Sequence, residues 1–456
     1  MSPQEIAWRM HSTLRDTVDR WRLPRLRRRA RVSVVGARPD VQPGFETTAL
    51  PLGCGCRNAD AAYHALLAQA DQIAAGRLCF FDQAPCDLGW PIDWNRDHSH
   101  CKHAPQRFAA AIDYRNFESV GDAKYVWEPN RHHQFVVLAR AYRASGERRY
   151  VDALLQHLAS WLEQCPFGVG MNWRSPLEIA VRLINWVWAL DLIRPGGPLP
   201  PALQAQVLNS VELHLWEITR KYSRGSSANN HRIGEAAGVF IGASYFQGLK
   251  NSRSWAAEAR DILCAEIEAQ TYPDGGSREQ ALGYQAFVMQ FFTLAGLVGR
   301  RTGADFPPAY WNRLEKMYEF SAALLEGGDL PPLFGDSDDG YVLDLGRSAG
   351  DLRAWLPVAA VLFGRGDFKA AAGAYSECAR WLLGHAGYTG YARLPAPTPD
   401  RRLTSQAFPA AGYYLLQSGR AADPGRISVL VGTQTVTVAR GTLNVGGSMG
   451  NPVLSP

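Results

Sequence analysis

From about residue 105 to 385, apolar residues recur at the three- and four-residue spacing of an α-helix, segment after segment. Val151, Leu154, Leu155, Leu158, Trp161 and Leu162 draw one such stripe. Ser175-Pro-Leu-Glu178 reads as a capping box with proline at the first helical position, opening a helix through Ile179 to Leu190. Further helices are expected near 202–221, 235–247, 254–270, 281–300, 309–326 and 351–382, joined by loops holding Gly, Pro or Asn. Successive antiparallel pairs of this length imply an all-α toroid or solenoid, and no fixed-period repeat supports a repeat array.

The pattern changes near the C-terminus. Residues 388–406, rich in proline, read as a linker. Beyond it Ala411-Gly-Tyr-Tyr-Leu-Leu-Gln, Arg426-Ile-Ser-Val-Leu-Val and the alternating Thr433 to Ala439 are strand-like. A few strands do not bury a sandwich core, so the chain is expected to stop inside a second domain. The expected division is a basic arm over 1–50, a helical domain over 51–387, the linker, and the start of an antiparallel β-sandwich over 407–456.

A chain of 456 residues buries a large core without staples. Its eight cysteines make no disulfide framework, which favours a reducing compartment and is compatible with a periplasm. The opening residues lack a signal peptide's apolar run and cleavage site, and no span of eighteen apolar residues is evident, so the expected location is cytoplasmic. A net charge of +5, from 48 basic and 43 acidic residues, excludes a dedicated nucleic-acid binder. The one dense basic run, Arg20 to Arg38, reads as a solvated arm or as a contact with anionic membrane or polymer. Fourteen tryptophans supply a core and suit a cleft where sugar rings stack.

Two stretches about fifty residues apart carry most of the chemistry. Tyr222 to Glu235 contains Asn229, Asn230 and His231; Tyr272 to Gln285 contains Asp274-Gly-Gly, Glu279 and Tyr284. Each is a Gly/Ser-rich loop running into a helix-patterned segment, a common way of presenting polar groups to a cleft. Asn, His and Tyr suit holding a carboxylate while a proton is removed beside it.

These stretches resemble the heparinase II/III-like polysaccharide lyases, a family that includes heparin, heparan and alginate lyases. The resemblance rests on Trp127-Glu-Pro-Asn-Arg-His, Leu138-Ala-Arg-Ala-Tyr142 with Ser145-Gly-Glu and Tyr150, and Asn172-Trp-Arg-Ser-Pro-Leu-Glu178. Ser227-Ala-Asn-Asn-His231, the Asp274-Gly-Gly loop with Glu279 and Tyr284, and Leu333-Phe-Gly-Asp-Ser-Asp-Asp-Gly340 complete it. It implies an incomplete (α/α) toroid followed by antiparallel β-sheet domains, and β-elimination at a uronic acid of an anionic polysaccharide. Asn230 or His231 would neutralise the substrate carboxylate; family members use either, and this chain carries both side by side. Tyr284 would serve as base, acid or both. Asn130, Arg131, Asn172, Trp173, Arg174, Glu235 and Glu279 fall on segments implied to contact substrate. The competing reading of each is structural: arginines pair with neighbouring acids, Asn and His cap the loop, and the tyrosine packs on a helix face.

The match breaks in the β-domain. The family carries a His-x-His-Ala-Asp segment there, with one active-site histidine and others that can hold a structural zinc, whereas Gly432 to Pro456 has no histidine. No cofactor is therefore expected in this chain. Either the chain is a truncated, impaired or purely glycan-binding relative, or its reading frame has shifted. Arg440-Gly-Thr-Leu written CGG-GGC-ACG-CTG gives Gly-His-Ala from the third base.

Among other patterns, Asp97-His-Ser-His-Cys-Lys-His103 gathers possible metal ligands and reads as adventitious. Asp336 to Gly340 lacks the acidic twelfth residue of a calcium loop. Nucleotide and serine-hydrolase motifs are absent. The rival enzyme is an (α/α)-barrel glycosidase using Glu178 or Glu235 with Asp274 or Glu279.

Overall fold

The computed structural model describes residues 3–33, 57–81, 84–325, 340–346, 351–395, 405–420, 423–430 and 436–437. Those residues are mainly helical. In chain order come α1 (Pro3–Ser33), α2 (Arg57–Ala74), α3 (Phe117–Val120), α4 (Ala123–Asn130), α5 (His133–Ser145), α6 (Arg148–Gln164), α7 (Pro176–Ile193) and α8 (Pro201–Arg220). They are followed by α9 (Asn230–Tyr245), α10 (Ser252–Ala269), α11 (Leu282–Thr302), α12 (Pro308–Leu325), α13 (Leu352–Phe363), α14 (Gly366–Ala372) and α15 (Glu377–Arg393).

Burial sorts the long helices into two rows. Helices α2, α5, α7, α9 and α11 lie side by side as one row, and α6, α8, α10 and α12 pack along it. Every residue of α7 from Leu177 to Ala189 is buried, as expected of a helix enclosed on all sides. In α6, by contrast, Val151, Leu154, Leu158 and Trp161 face inward while Asp152 and Gln156 face solvent. Glycines set the spacing inside the first row. A Cβ at Gly234, Gly238 or Gly242 of α9 would collide with Leu177, Ala180 or Leu183 of α7 respectively. The ascending order of both sets makes α7 and α9 parallel and closely packed.

Several expectations need correction. The helix expected from 235 begins at Asn230, so Asn230 and His231 sit in its first turn, not in a loop. The helix start at Pro176 is as expected, but Ser175 makes no side-chain cap and Glu178 is used elsewhere. The segment 351–382 is three helices, interrupted by left-handed Gly364 and by Gly373; α15 continues to Arg393 with a kink at Gly384. The basic arm is largely a helix, docked on α8 by Asp19 with Arg220 at 2.7 Å and by Arg15 on the Arg220 carbonyl at 2.8 Å. The tryptophans mostly build core, as expected: nine of the fourteen are buried. Helix α11 is long and apolar enough to cross a membrane, yet most of it is enclosed in that core.

Strands β1 (Arg77–Leu78) and β2 (Cys86–Asp87) form one short hairpin, β3 (Arg96–Asp97) and β4 (Lys102–His103) another. Strands β5 (Gln406–Phe408), β6 (Tyr413–Arg420), β7 (Asp423–Leu430) and β8 (Val436–Thr437) form an antiparallel sheet in sequence order, with Tyr413 opposite Leu430. Among the described residues, Phe408 of β5, Ala411 of the turn, and Tyr413 and Leu415 of β6 pack on Leu282, Phe320, Ala323 and Leu324 of α11 and α12. The sheet therefore sits beside the start of α11.

Candidate active site

One carboxylate ties the first turn of α9 to the loop that leads into α11. Glu279 accepts from the Asn230 backbone N–H at 2.8 Å and from Asn230 Nδ2 at 2.9 Å. Asn229 caps α9, its side chain accepting from the His231 N–H at 3.3 Å. Asn230 is buried, while His231 in the same turn and Tyr284 in the first turn of α11 are half-buried. An anion is stabilised at such N-terminal ends by free N–H groups and the helix dipole.

The loop that delivers Glu279 is rigidly built. Tyr272 N–H donates to the Gly276 carbonyl at 2.8 Å, and the Arg278 N–H to the Gln270 carbonyl at 2.9 Å. Gly275 has φ +102, and a Cβ there would run into the Lys316 carbonyl, so only glycine fits. Buried Gln285, next to Tyr284, accepts from the Ser277 N–H at 2.7 Å and donates to the Gly275 carbonyl at 3.0 Å. Gln270 donates to the Ala228 and Asn229 carbonyls at 2.7 and 3.2 Å, tying the two loops together. Asp274 accepts from the Ala410 and Ala411 N–H groups at 2.7 and 3.1 Å, fixing the loop to the sheet. Gln270 and Gln285 were not legible as site residues: no spacing rule marks a glutamine that serves backbone groups of a distant loop.

A second polar cluster lies at the starts of α5 and α7. Arg131 grips Glu178 with two bonds, 2.7 and 2.9 Å, and donates to Glu128 at 3.1 Å. His133 lies 3.4 Å from Glu128 and stacks on Tyr341 with ring centroids 4.0 Å apart. Burial pushes the Glu128 carboxyl upward, but Arg131 and His133 outweigh it and hold it below its ordinary value. Arg131 thus holds two carboxylates, the structural reading that competes with its expected role as a fork for substrate. Arg174 is half-buried, bonded to the Ile112 carbonyl at 3.0 Å and over the Tyr114 ring.

Four other expected contacts are enclosed. Asn130 donates to the Trp94 and Val126 carbonyls at 2.8 and 2.7 Å and accepts from Trp161 Nε1 at 2.8 Å. Asn172 Nδ2 donates to the Trp94 carbonyl at 3.2 Å. Trp173 is 3% exposed and donates to the Cys165 carbonyl at 3.1 Å, so its ring is core and no sugar platform. Fully buried Arg182 explains the arrangement, donating to the Asn130 and Asn172 carbonyls at 3.2 and 2.8 Å and to His214 Nε2 at 2.9 Å. Burial lowers its pKa to about 10. Glu235 is fully buried against Ser223, whose N–H and Oγ donate at 2.6 and 2.7 Å; burial pushes its carboxyl up to about 8, leaving it largely neutral at pH 7.

Among the described residues no group of three or more His, Cys, Asp or Glu is arranged to hold a metal. In the 97–103 loop, buried Asp97 instead accepts from the Ser99, His100 and Asp122 N–H groups and from the His100 ring. A zinc does not fit Gly432–Pro456 on its donor set, which lacks histidine; all but Val436 and Thr437 of that segment lies outside the described residues, as do Leu333–Asp339.

Fold and sequence comparison relate this protein to the polysaccharide lyases with a helical N-terminal domain. The chain belongs to the heparinase II/III N-terminus family, whose model matches residues 58–354. It is 26% identical over 251 residues to a heparin-sulfate lyase of Bacteroides stercoris, covering 50% of this chain and 37% of that protein. It is 25% identical over 321 residues to the heparin-sulfate lyase of Pedobacter heparinus, covering 66% and 48%. The chain thus spans about half or less of the length of these relatives. The fold resembles the crystal structure of heparinase III, with a TM-score of 0.56 and 19% identity over 80% of this chain and 52% of that one.

Proposed function

We propose that this chain is the helical part of a lyase that cleaves a uronate-containing polysaccharide by β-elimination, its double row of helices forming the incomplete toroid. The observation that carries the reading is the bidentate grip of Glu279 on Asn230, which ties an amide at the start of α9 to the loop that runs into the half-buried Tyr284 turn of α11. Asn230 Nδ2 spends one proton on Glu279 and keeps its second for the substrate carboxylate. His231, on the same turn, is the second donor.

The chemistry needs both groups. Removing the proton beside an ionised carboxylate puts a second negative charge on one conjugated unit, and fixed donors aimed at the carboxylate relieve it. Tyr284, as phenolate, takes the proton from C5; the C–H electron pair moves into the carboxylate system and then forms the C4–C5 double bond as the C4–O4 bond breaks. The phenol returns a proton to O4. Such proton transfers contribute about 10²- to 10⁴-fold in rate.

The glycosidase reading loses support from the same geometry. Glu178 is held by Arg131, Glu235 is buried on Ser223, Asp274 holds the sheet, and Glu279 holds Asn230. A general acid and base across an open cleft would need two of these carboxylates released.

The test is to incubate the chain with heparan sulfate first, since relatives are named heparin-sulfate lyases, and then with other uronate polymers. Elimination leaves an ultraviolet-absorbing unsaturated end. Saturated new ends would replace the proposal with hydrolysis, and binding without any product would replace it with a glycan-binding role.

A further inference from the structure

Helix α1 is docked on the body along one side and leaves a distinct surface on the other. Its inner side is fixed by buried Leu23, by Asp19 on Arg220, and by Glu5, which accepts from Ser226 Oγ at 2.8 Å. On the outer side Ile6, Met10, Leu14, Val18 and Trp21 are exposed, at successive steps of four, four, four and three residues. At 100° per residue these positions share one stripe about 120° wide. Met10 is 69% exposed, Leu14 65% and Trp21 81%, values far from those of a helix settled on its own domain.

Charge is sorted the same way. The helix has three acidic residues, and each is committed on the inner side: Glu5 to Arg9 and Ser226, Asp16 to Arg15 and Lys221, Asp19 to Arg220. No acid remains on the exposed stripe. Arg20 and Arg22 flank Trp21 in the open, and Arg25, Arg27, Arg28, Arg29 and Arg31 follow in the same helix.

We propose that the outer face of α1 is a docking surface for an anionic lipid bilayer, the helix lying in the interface plane. A row of exposed apolar side chains ending in a tryptophan flanked by exposed Arg20 and Arg22, in a helix whose sequence continues with five more arginines and no acid, is the composition that such an interface selects. Two other occupants fit one half of the face only. A soluble polyanion answers the arginines and leaves Met10, Leu14 and Trp21 in water. A second copy of this chain covers the apolar stripe but brings its own arginines and no counter-charge. A bilayer with acidic headgroups satisfies both. Because Glu5 touches the loop that leads into α9, this docking would hold the candidate active site close to the membrane surface.

The experiment is co-sedimentation of the full chain with phosphatidylcholine vesicles, with and without about one third phosphatidylglycerol. The expected result is binding at least about tenfold tighter to the anionic vesicles, weakened by added salt. The pair Leu14→Ser with Trp21→Ser, and separately Arg27→Gln with Arg28→Gln and Arg29→Gln, should each reduce it by about tenfold or more while circular dichroism is unchanged. Brominated lipid in the vesicles should quench wild-type tryptophan emission and quench the conservative Trp21→Phe markedly less, a readout that survives if a multiple variant misfolds. Equal binding to both vesicles, or none, overturns the proposal. So does a wild-type dimer in light scattering that the apolar variant dissolves, or retention on soluble polyanion without retention on vesicles.

Discussion

Glu279 holds Asn230 by backbone and side chain at once, 2.8 Å to the N–H and 2.9 Å to Nδ2, across a gap of about fifty residues. The bond replaces the missing helical partner of an N-terminal N–H and locks the amide rotamer in one stroke. An active-site amide whose orientation is set before substrate arrives loses little entropy on binding.

If that grip positions the amide, Asn230→Ala and Glu279→Ala act on one element. Each should lower kcat/KM by about ten- to a hundredfold, the worth of a charge-assisted hydrogen bond, and the double variant should be no worse than Asn230→Ala. Fully additive losses in the double-mutant cycle would separate the two residues.

On the proposed mechanism, Tyr284→Phe removes one hydroxyl from the reacting centre. Elimination should fall by about 10²-fold or more with polymer affinity nearly unchanged, read by product absorbance and by calorimetry. Turnover within about threefold of wild type excludes Tyr284 as base or acid.

Arg131→Met removes the shared partner of the buried Glu128 and Glu178 carboxylates and leaves Glu128 with His133 alone. The expected cost is about 3–5 kcal/mol of stability, from the penalty of buried unpaired charge, seen as a drop in denaturation midpoint. Adding Glu178→Gln should recover part of it. Because the folded Glu128 pKa is lowered, its contribution is present above the unfolded carboxylate pKa and is lost as pH falls through the folded one. In Arg131→Met that acid limb should shrink, since only the His133 side remains against burial.

Glu235 gives the opposite sign. Its folded pKa, about 8, lies above its ordinary 4.5, so its contribution is full at low pH and is lost as pH rises through about 8. Between these values the slope reaches at most about 1.4 kcal/mol per pH unit. Glu235→Gln, which keeps a neutral acceptor for Ser223, should flatten that slope in chemical denaturation across the range.

Local pattern decided a good deal of this protein. The period-3.6 stripes of α6 and α7, the proline at the start of α7, the strands around Tyr413 and Arg426, and the helix that carries Tyr284 are all written in neighbouring residues, whereas the first turn of α9, with Asn230 and His231, reads as loop. What these residues touch was not. Ser175-Pro-Leu-Glu178 has the letters of a capping box, but Glu178 bonds to Arg131, because a half-buried guanidinium fork offers a carboxylate more than a backbone N–H that water can serve. Asn130, Asn172 and Trp173 have the chemistry of a sugar site and are spent on the frame around Arg182. Glu279 reads as a substrate contact, and its bonds to Asn230 are not visible in the sequence. A polar side chain in sequence has only an inventory of donors and acceptors, and the partner is chosen by which segments the fold brings within about 3 Å. Chain order set the helices; packing of distant loops set the roles.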